Sequence, residues 1–254
     1  MVVDAYVVTY APDARWLSYL VKSWIKYARG FRRMLILYPS QHTAAFTEMQ
    51  GFFKSFPSIV WQPFNEREGH GHMHHNIIKC RADEYTDAEF ILHIDSDCVL
   101  MGKISPEDFF TNGRPDLLYS KFSDIQSPWQ YVTELALGRS VEVETMRRHP
   151  FVYPRWMYAE MRNRVEHVHR RPFDEYVFTA PCMGGAHRGF SEFCTLGAYA
   201  KHFRPEAFHF YDTKTSCKPC DVRQYWSFSG ITEQERYELD GYTRDWDKPR
   251  IFDR

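Results

Sequence analysis

The strongest constraint on the fold is an alternation in the first hundred residues. Short apolar runs rich in β-branched side chains are separated by stretches whose apolar residues recur at helical spacing. Residues 2–9 read as a buried strand. After the turn Ala11-Pro12-Asp13, the positions Trp16, Leu17, Leu20, Val21, Trp24, Ile25 and Ala28 predict a helix, with Asp13 as its cap and Gly30 as its stop. Residues 34–38 predict a second strand, 39–53 a second helix, 58–61 a third strand and 73–85 a third helix. A fourth strand, 89–94, runs straight into Asp95-Ser96-Asp97. This order predicts an α/β fold, a mostly parallel sheet with helices on both faces. Ligands of such sheets bind beyond the carboxyl ends of the strands, so 9–13 and 95–97 are expected to meet there. No G-x-G-x-x-G follows the first strand, which argues against a dinucleotide-dependent oxidoreductase.

The second half is less regular. Residues 116–121 predict a strand, 128–137 and 153–168 helices, and 181–189 a Gly-rich loop. Ser191 is the expected N-cap of a helix reaching His202, with Glu192 in its first turn, and 207–211 predict another strand. The tail from Glu233 is highly charged and is expected to be partly disordered. With no internal repeat or linker, residues 1–254 read as one domain. The net charge of -1, from 32 basic and 33 acidic side chains, excludes a general nucleic-acid binder, which needs a basic excess. Six scattered cysteines, no secretory signal and no apolar run of membrane length predict reduced thiols, a cytoplasmic location and no membrane span.

Asp95-Ser96-Asp97 carries the most specific chemistry. Two carboxylates flanking one small residue at a strand end repel each other, an arrangement that a cation relieves. Their hard oxygens suit Mg²⁺ or Mn²⁺, ions that keep open positions for substrate phosphates and offset charge on a departing diphosphate. The bland alternative is a solvated acidic turn. The run Ile78-Lys79-Cys80-Arg81-Ala82-Asp83-Glu84-Tyr85, followed by Phe90 to Leu100, resembles the helix and D-x-D strand of GT-A glycosyltransferases. Val8-Thr9-Tyr10-Ala11-Pro12-Asp13 is similar to the nucleotide-base loop of that superfamily, and Phe190-Ser191-Glu192-Phe193 with Leu196-Gly197 is similar to a segment of one bacterial and viral branch.

The resemblance implies a Rossmann-like α/β/α sandwich. Residues 1–120 would form the nucleotide-sugar half, 121–232 the acceptor half and 233–254 the charged tail. It implies transfer of a sugar from a nucleoside-diphosphate sugar, most simply a UDP-sugar, to an acceptor hydroxyl of a saccharide or glycan, with Mn²⁺ or Mg²⁺. Asp97 would bind the metal and Asp95 the ribose or the metal, with Ser96 between them at the nucleotide. Thr9, Tyr10 and Asp13 would surround the base and ribose. Lys79 and Asp83, one turn apart on one helix, would reach the diphosphate and the nucleoside or sugar, the alternative being a surface ion pair.

Glu192 is the first candidate for the base of an inverting transfer, its alternative role being to complement the helix dipole. Asp174 and Asp212 are weaker candidates. A late His completes the metal shell in several GT-A branches. That points to His209, followed here by Lys218-Pro219, although a buried structural histidine fits as well. His70, His72, His74 and His75 could bind zinc or line the site. Cys217-Lys218-Pro219-Cys220 is a lone C-x-x-C and reads as structural. The arginines from 147 to 171 read as a charged helix face, or as a cradle for an anionic acceptor. Two rival functions use the same kind of fold. A sugar-phosphate nucleotidyltransferase would carry a Gly-rich, Lys- or Arg-bearing loop after the first strand, which Thr9-Tyr10-Ala11-Pro12 is not. The other is an inactive carbohydrate-binding module.

Overall fold

Eleven strands and eight α-helices are defined in a computed structural model, which describes residues 1–67, 69, 71–181, 189–216, 218–227 and 230–243. The first half runs β1 (Val3–Val8), α1 (Ala14–Tyr27), β2 (Met34–Pro39), α2 (Thr43–Phe52), β3 (Ile59–Phe64), α3 (Gly71–Cys80), β4 (Phe90–His93) and β5 (Cys98–Leu100). The second half runs β6 (Phe110–Thr111), β7 (Arg114–Lys121), α4 (Trp129–Leu137), β8 (Val143–Glu144), β9 (Phe151–Pro154), α5 (Trp156–His169) and α6 (Phe173–Thr179). It closes with α7 (Glu192–Phe203), β10 (His209–Asp212), β11 (Val222–Gln224) and α8 (Glu233–Thr243).

The main sheet has the order β3-β2-β1-β4-β9. Its first four strands are parallel, and β9 runs antiparallel to β4. Period-two alternation divides the side chains between two apolar layers. Ala5, Val7, Ile36 and Leu92 pack with α1 and α2 on one face. Tyr6, Val8, Leu35, Leu37 and Ile91 pack with α3 and α4–α7 on the other. Each fully buried aliphatic side chain contributes about 1.5–3 kcal/mol, so both faces need their helical cover. This is the mostly parallel, helix-flanked sheet of a Rossmann-like fold. The chain winds outward from β1 through β2 to β3, then returns to lay β4 on the other side of β1. The carboxyl ends of β1 and β4 therefore form the topological switch point, where open α/β sheets bind ligands.

Several boundaries differ from the sequence expectation. The helix expected over 73–85 stops at Cys80, and Ala82–Glu84 form a separate 3-10 turn. The helix expected from 153 begins at Trp156, because Phe151–Pro154 pair with β4 as an edge strand. Pro154 is tolerated there because an edge residue can do without a donor. A second sheet, β10-β7-β6 with β8 also on β7, takes up the later strands, and β11 pairs with β5. At the start of the charged tail, α8 places Leu239 among Trp16, Tyr19, Val99 and Tyr225, and Tyr19 donates to Asp240 at 2.6 Å. No helix among the described residues is long and apolar enough to cross a membrane.

Candidate active site

Beyond β1 the chain turns through a 3-10 helix, Ala11–Asp13, before α1 starts. Asp13 stands at the N-cap position but makes no side-chain cap bond. Its carboxylate instead accepts a hydrogen bond from Ser96 Oγ at 3.2 Å, and the Ser227 hydroxyl also bonds it. The exit of β1 is thereby tied to the exit of β4, as the winding of the sheet predicts. Asp97 is fixed from the other side. The Ser227 N–H donates to its Oδ2 at 2.8 Å, Gln224 Nε2 donates to its Oδ1 at 3.4 Å, and the Tyr225 N–H donates to its backbone carbonyl at 3.0 Å. Tyr10, partly exposed, packs edge-on to His75 with centroids 5.8 Å apart, and its phenol lies in the field of Asp13, Lys79, Asp95 and Asp97.

Asp95 lies between the side chains of Lys79 and His149. Lys79 Nζ is 2.8 Å from its Oδ1, and His149 Nε2 is 2.8 Å from its Oδ2. The same ammonium sits 2.9 Å from Glu192 Oε1 and 4.7 Å above the Phe193 ring. Lys79 itself is buried. Four segments supply this cluster: the last turn of α3, the β4 exit, the stretch before β9 that carries His149, and the start of α7, which the Ser191 hydroxyl caps by accepting the Cys194 N–H at 3.4 Å. Burial alone would raise the Asp95 carboxyl, but His149 and Lys79 outweigh it and hold Asp95 well below the usual carboxylate range. Burial would likewise lower Lys79, and the carboxylates of Asp95 and Glu192 raise it instead. Asp97 moves the other way: burial and the negative charge of Asp95 push it up. Asp13 is raised by burial, with Asp97 and Asp95 adding to the shift against the hydrogen bonds of Ser227 and Ser96. His75 is held well below its ordinary value by burial and by Lys79, so it is neutral near pH 7, and its Nε2 is buried without a hydrogen-bond partner.

The structure therefore gathers Tyr10, Asp13, Lys79, Asp95, Ser96, Asp97 and Glu192 at the switch point. Three expected members lie elsewhere. Thr9 is completely buried, and its N–H donates to Leu37 O at 2.9 Å, so it lies beneath the site instead of facing a base. Asp83 does not share a helix face with Lys79. On the 3-10 turn after α3 it receives both guanidinium nitrogens of Arg162, at 2.5 and 3.0 Å, in a bidentate ion pair. His209 lies in β10 of the second sheet, its Nδ1 3.8 Å from Asp116. Among the described residues no three His, Cys, Asp or Glu side chains converge as a metal set, so Asp95, Asp97 and His209 are not gathered. The cause is topological: β10 pairs with β7 instead of joining the main sheet.

The remaining candidates divide in the same way. His75 belongs to the site. His74 is held between Phe64 and Phe178 with its Nδ1 accepting the Arg67 N–H at 2.8 Å, and His70 lies outside the described residues. Asp174 is paired with Arg81 at 2.9 Å, and Asp212 accepts the Lys214 N–H. The arginines disperse: Arg147 pairs with Glu144, Arg148 donates to the Lys218 carbonyl, Arg162 pairs with Asp83 and Arg164 donates to Leu137 O. Cys220 is described as a free thiol, and Cys217 and most of the 181–189 loop lie outside the described residues. Sequence reasoning missed His149, Gln224 and Ser227. His149 is a lone imidazole without a motif, and β11 is three residues long, below the length at which a period is legible.

The model of the family of unknown function DUF6492 matches residues 5–251. No functionally curated protein matches this sequence. Among solved structures, the chain is similar to a Bacillus anthracis protein provisionally assigned as a glucose-1-phosphate thymidylyltransferase and solved in complex with sucrose. The TM-score is 0.51 and the identity 10%, and the match covers 96% of each chain. At that identity the likeness shows the fold alone.

Proposed function

We propose that this chain, which belongs to the DUF6492 family, is a metal-dependent glycosyltransferase of the GT-A type that moves a sugar from a nucleoside-diphosphate sugar, most simply a UDP-sugar, to a saccharide hydroxyl. The observation that carries the reading is the convergence of Asp13, Asp95 and Asp97 with the buried Lys79 at the switch point of the sheet. Asp13 and Asp97, both raised by burial and by neighbouring carboxylates, stand close to Asp95, and a divalent cation on the Asp95 and Asp97 pair would balance negative charge there. Two protein carboxylates plus phosphate oxygens and water is how Mg²⁺ is commonly held, so a two-residue oxygen set fits the ion. Asp97 and Asp95 would hold Mn²⁺ or Mg²⁺, and the bound ion would supply charge neutralisation at the departing diphosphate.

The chain's own groups divide the remaining work. Lys79, placed between Asp95 and Glu192, offers a fixed positive charge to the diphosphate. Tyr10 offers an aromatic face to the base, and Asp13 and Ser96 offer acceptors and a hydroxyl to the ribose. Glu192 is the carboxylate to take the acceptor proton in an inverting transfer, with Lys79 fixing its position. Replacing Asp97 by Ala is expected to abolish Mn²⁺-dependent UDP binding and sugar transfer together. Undiminished metal-dependent UDP affinity would remove Asp97 from the role. The solved thymidylyltransferase-like fold supports a second reading, nucleotidyl transfer to a sugar phosphate. The products separate the two: transfer from a nucleotide-sugar releases a nucleoside diphosphate, whereas nucleotidyl transfer from a nucleoside triphosphate releases pyrophosphate.

A further inference from the structure

Both oxygens of Asp95 are held, by groups of different kinds. Lys79 Nζ lies 2.8 Å from Oδ1, and His149 Nε2 lies 2.8 Å from Oδ2. The ammonium is shared, because Glu192 Oε1 also claims it at 2.9 Å and a bound diphosphate would claim it too. The imidazole is not shared. An ionised carboxylate can only accept, so Nε2 carries the proton of its bond to Asp95. Nδ1 is buried with no hydrogen-bond partner among the described residues. The ring is walled in. It is buried edge-on against Phe151, with centroids 4.8 Å apart, and against Phe193, at 5.5 Å, and those two rings stack on each other at 4.2 Å. Phe151 is fixed in turn, since β9 pairs with β4 and sets it opposite His93, two residues before Asp95. Strand pairing, ring packing and imidazole thus form a bracket that runs from β9 back to the β4 exit.

We propose that His149 is a positioning residue, which fixes the Asp95 carboxylate in the orientation that receives the divalent cation. This rests on the proposed function, in which Asp95 and Asp97 hold that cation. An ionised carboxylate has about four lone-pair sites. Lys79 and His149 engage one on each oxygen, so each oxygen keeps another open. Where those open sites point depends on what stops the carboxylate from rotating. Lys79 alone is a poor stop, since its stem is flexible and its charge is divided between two carboxylates. His149 supplies the second point of attachment, from a ring that packing already holds still. Hydrogen bonds from a neighbour to a metal-binding group orient that group, and losing one typically weakens the metal about 10–100-fold.

The test titrates the full chain with Mn²⁺, with and without UDP, and follows the ion by electron paramagnetic resonance, so that no turnover is needed. His149→Phe keeps a ring against Phe151 and Phe193 and loses the donor. His149→Gln returns an amide N–H close to the place of Nε2. With both variants folded by circular dichroism, His149→Phe is expected to bind Mn²⁺ about 10–100-fold more weakly than the parent protein, and His149→Gln to recover most of that loss. Should His149→Phe not fold, His149→Leu takes its place in the comparison. A His149→Gln protein as weak as His149→Phe would overturn the proposal, because the donated hydrogen bond would not be what matters. Nitrogen hyperfine coupling on the Mn²⁺ of the parent, absent from His149→Phe, would overturn it by making His149 a ligand. Parent-like affinity in His149→Phe would remove this proposal and leave the proposed function standing. A parent protein that binds no Mn²⁺, with or without UDP, would remove both.

Discussion

Replacing Lys79 by Met keeps the side-chain volume and removes the charge that two acidic groups share. Lys79 Nζ lies 2.8 Å from Asp95 and 2.9 Å from Glu192, and the three side chains are 6%, 24% and 10% exposed. Removing one partner of a buried ion pair costs about 3–5 kcal/mol, because the remaining charge is left buried and unpaired. Asp95 keeps His149 at 2.8 Å and a quarter of its surface in water, so the lower end applies, about 3 kcal/mol. For a chain of this length that is a fall in Tm of roughly 6–12 °C. Glu192→Gln in the same background should recover about 1–2 kcal/mol, since it removes the charge left unpaired. Thermal melts and urea titrations at pH 7 on the single variants and the double variant form the cycle. A Lys79→Met protein melting within about 2 °C of the parent, or single effects that simply add, would refute the claim that one ammonium holds β4, α3 and α7 together.

Asp4 is a second buried ion cluster, at the opposite end of β1, where it accepts from Arg32, Arg33 and Thr86. Burial raises its pKa, but those partners outweigh that and lower it, so its stabilising contribution is present above the unfolded value near pH 4 and is lost as pH falls through the folded one. Asp4→Asn is therefore expected to cost about 2–3 kcal/mol at pH 7, discounted because both arginines are a third exposed, and urea titrations at pH 7 and in strong acid should show that difference closing. Gly197→Ala should destabilise despite the better helix propensity of Ala, because its Cβ would meet the buried Thr145 side chain at 2.0 Å. A loss of about 1–3 kcal/mol is expected from overpacking, and a rise in Tm would show that β8 can retreat from α7.

How much of this was legible follows from which forces are local. Val3–Val8 and Met34–Pro39 are recognisable because a strand buried on both faces is apolar at nearly every position, Asp4 being the exception, and the helix after Asp13 because its buried stripe repeats. The meeting of Asp13 with Asp97 followed from strand order alone. Roles set by distant partners were not legible. Asp83 faces away from Lys79 because the helix ends at Cys80, and an arginine 79 residues later claims its carboxylate. His209 is drawn to the second sheet by a parallel register with Asp116. His149, Gln224 and Ser227 reach the site from segments that carry no periodic signal at all.

The carboxylates at the switch point set stability against function, and Asp97 shows which way. Its pKa is raised in the fold by burial and by Asp95, so the ionised form is disfavoured there relative to the unfolded chain. For an acid raised in this way the sign is the reverse of that for Asp4: stability is greatest with the group protonated and falls as pH rises from the unfolded value through the folded one. Asn at position 97 keeps an oxygen for the Ser227 N–H, and a turned Gln224 amide can accept from its nitrogen. Asp97→Asn is therefore expected to raise Tm at pH 7 without metal, on the order of the 0.5–2 kcal/mol gained when a functional cost is removed. The gain should vanish at low pH, where the parent residue is itself neutral. On the proposed function, Mn²⁺ with UDP should raise the Tm of the parent protein and leave that of the variant unchanged. A variant that melts below the parent in metal-free buffer at pH 7 would mean that Asp97 serves the fold and not a ligand.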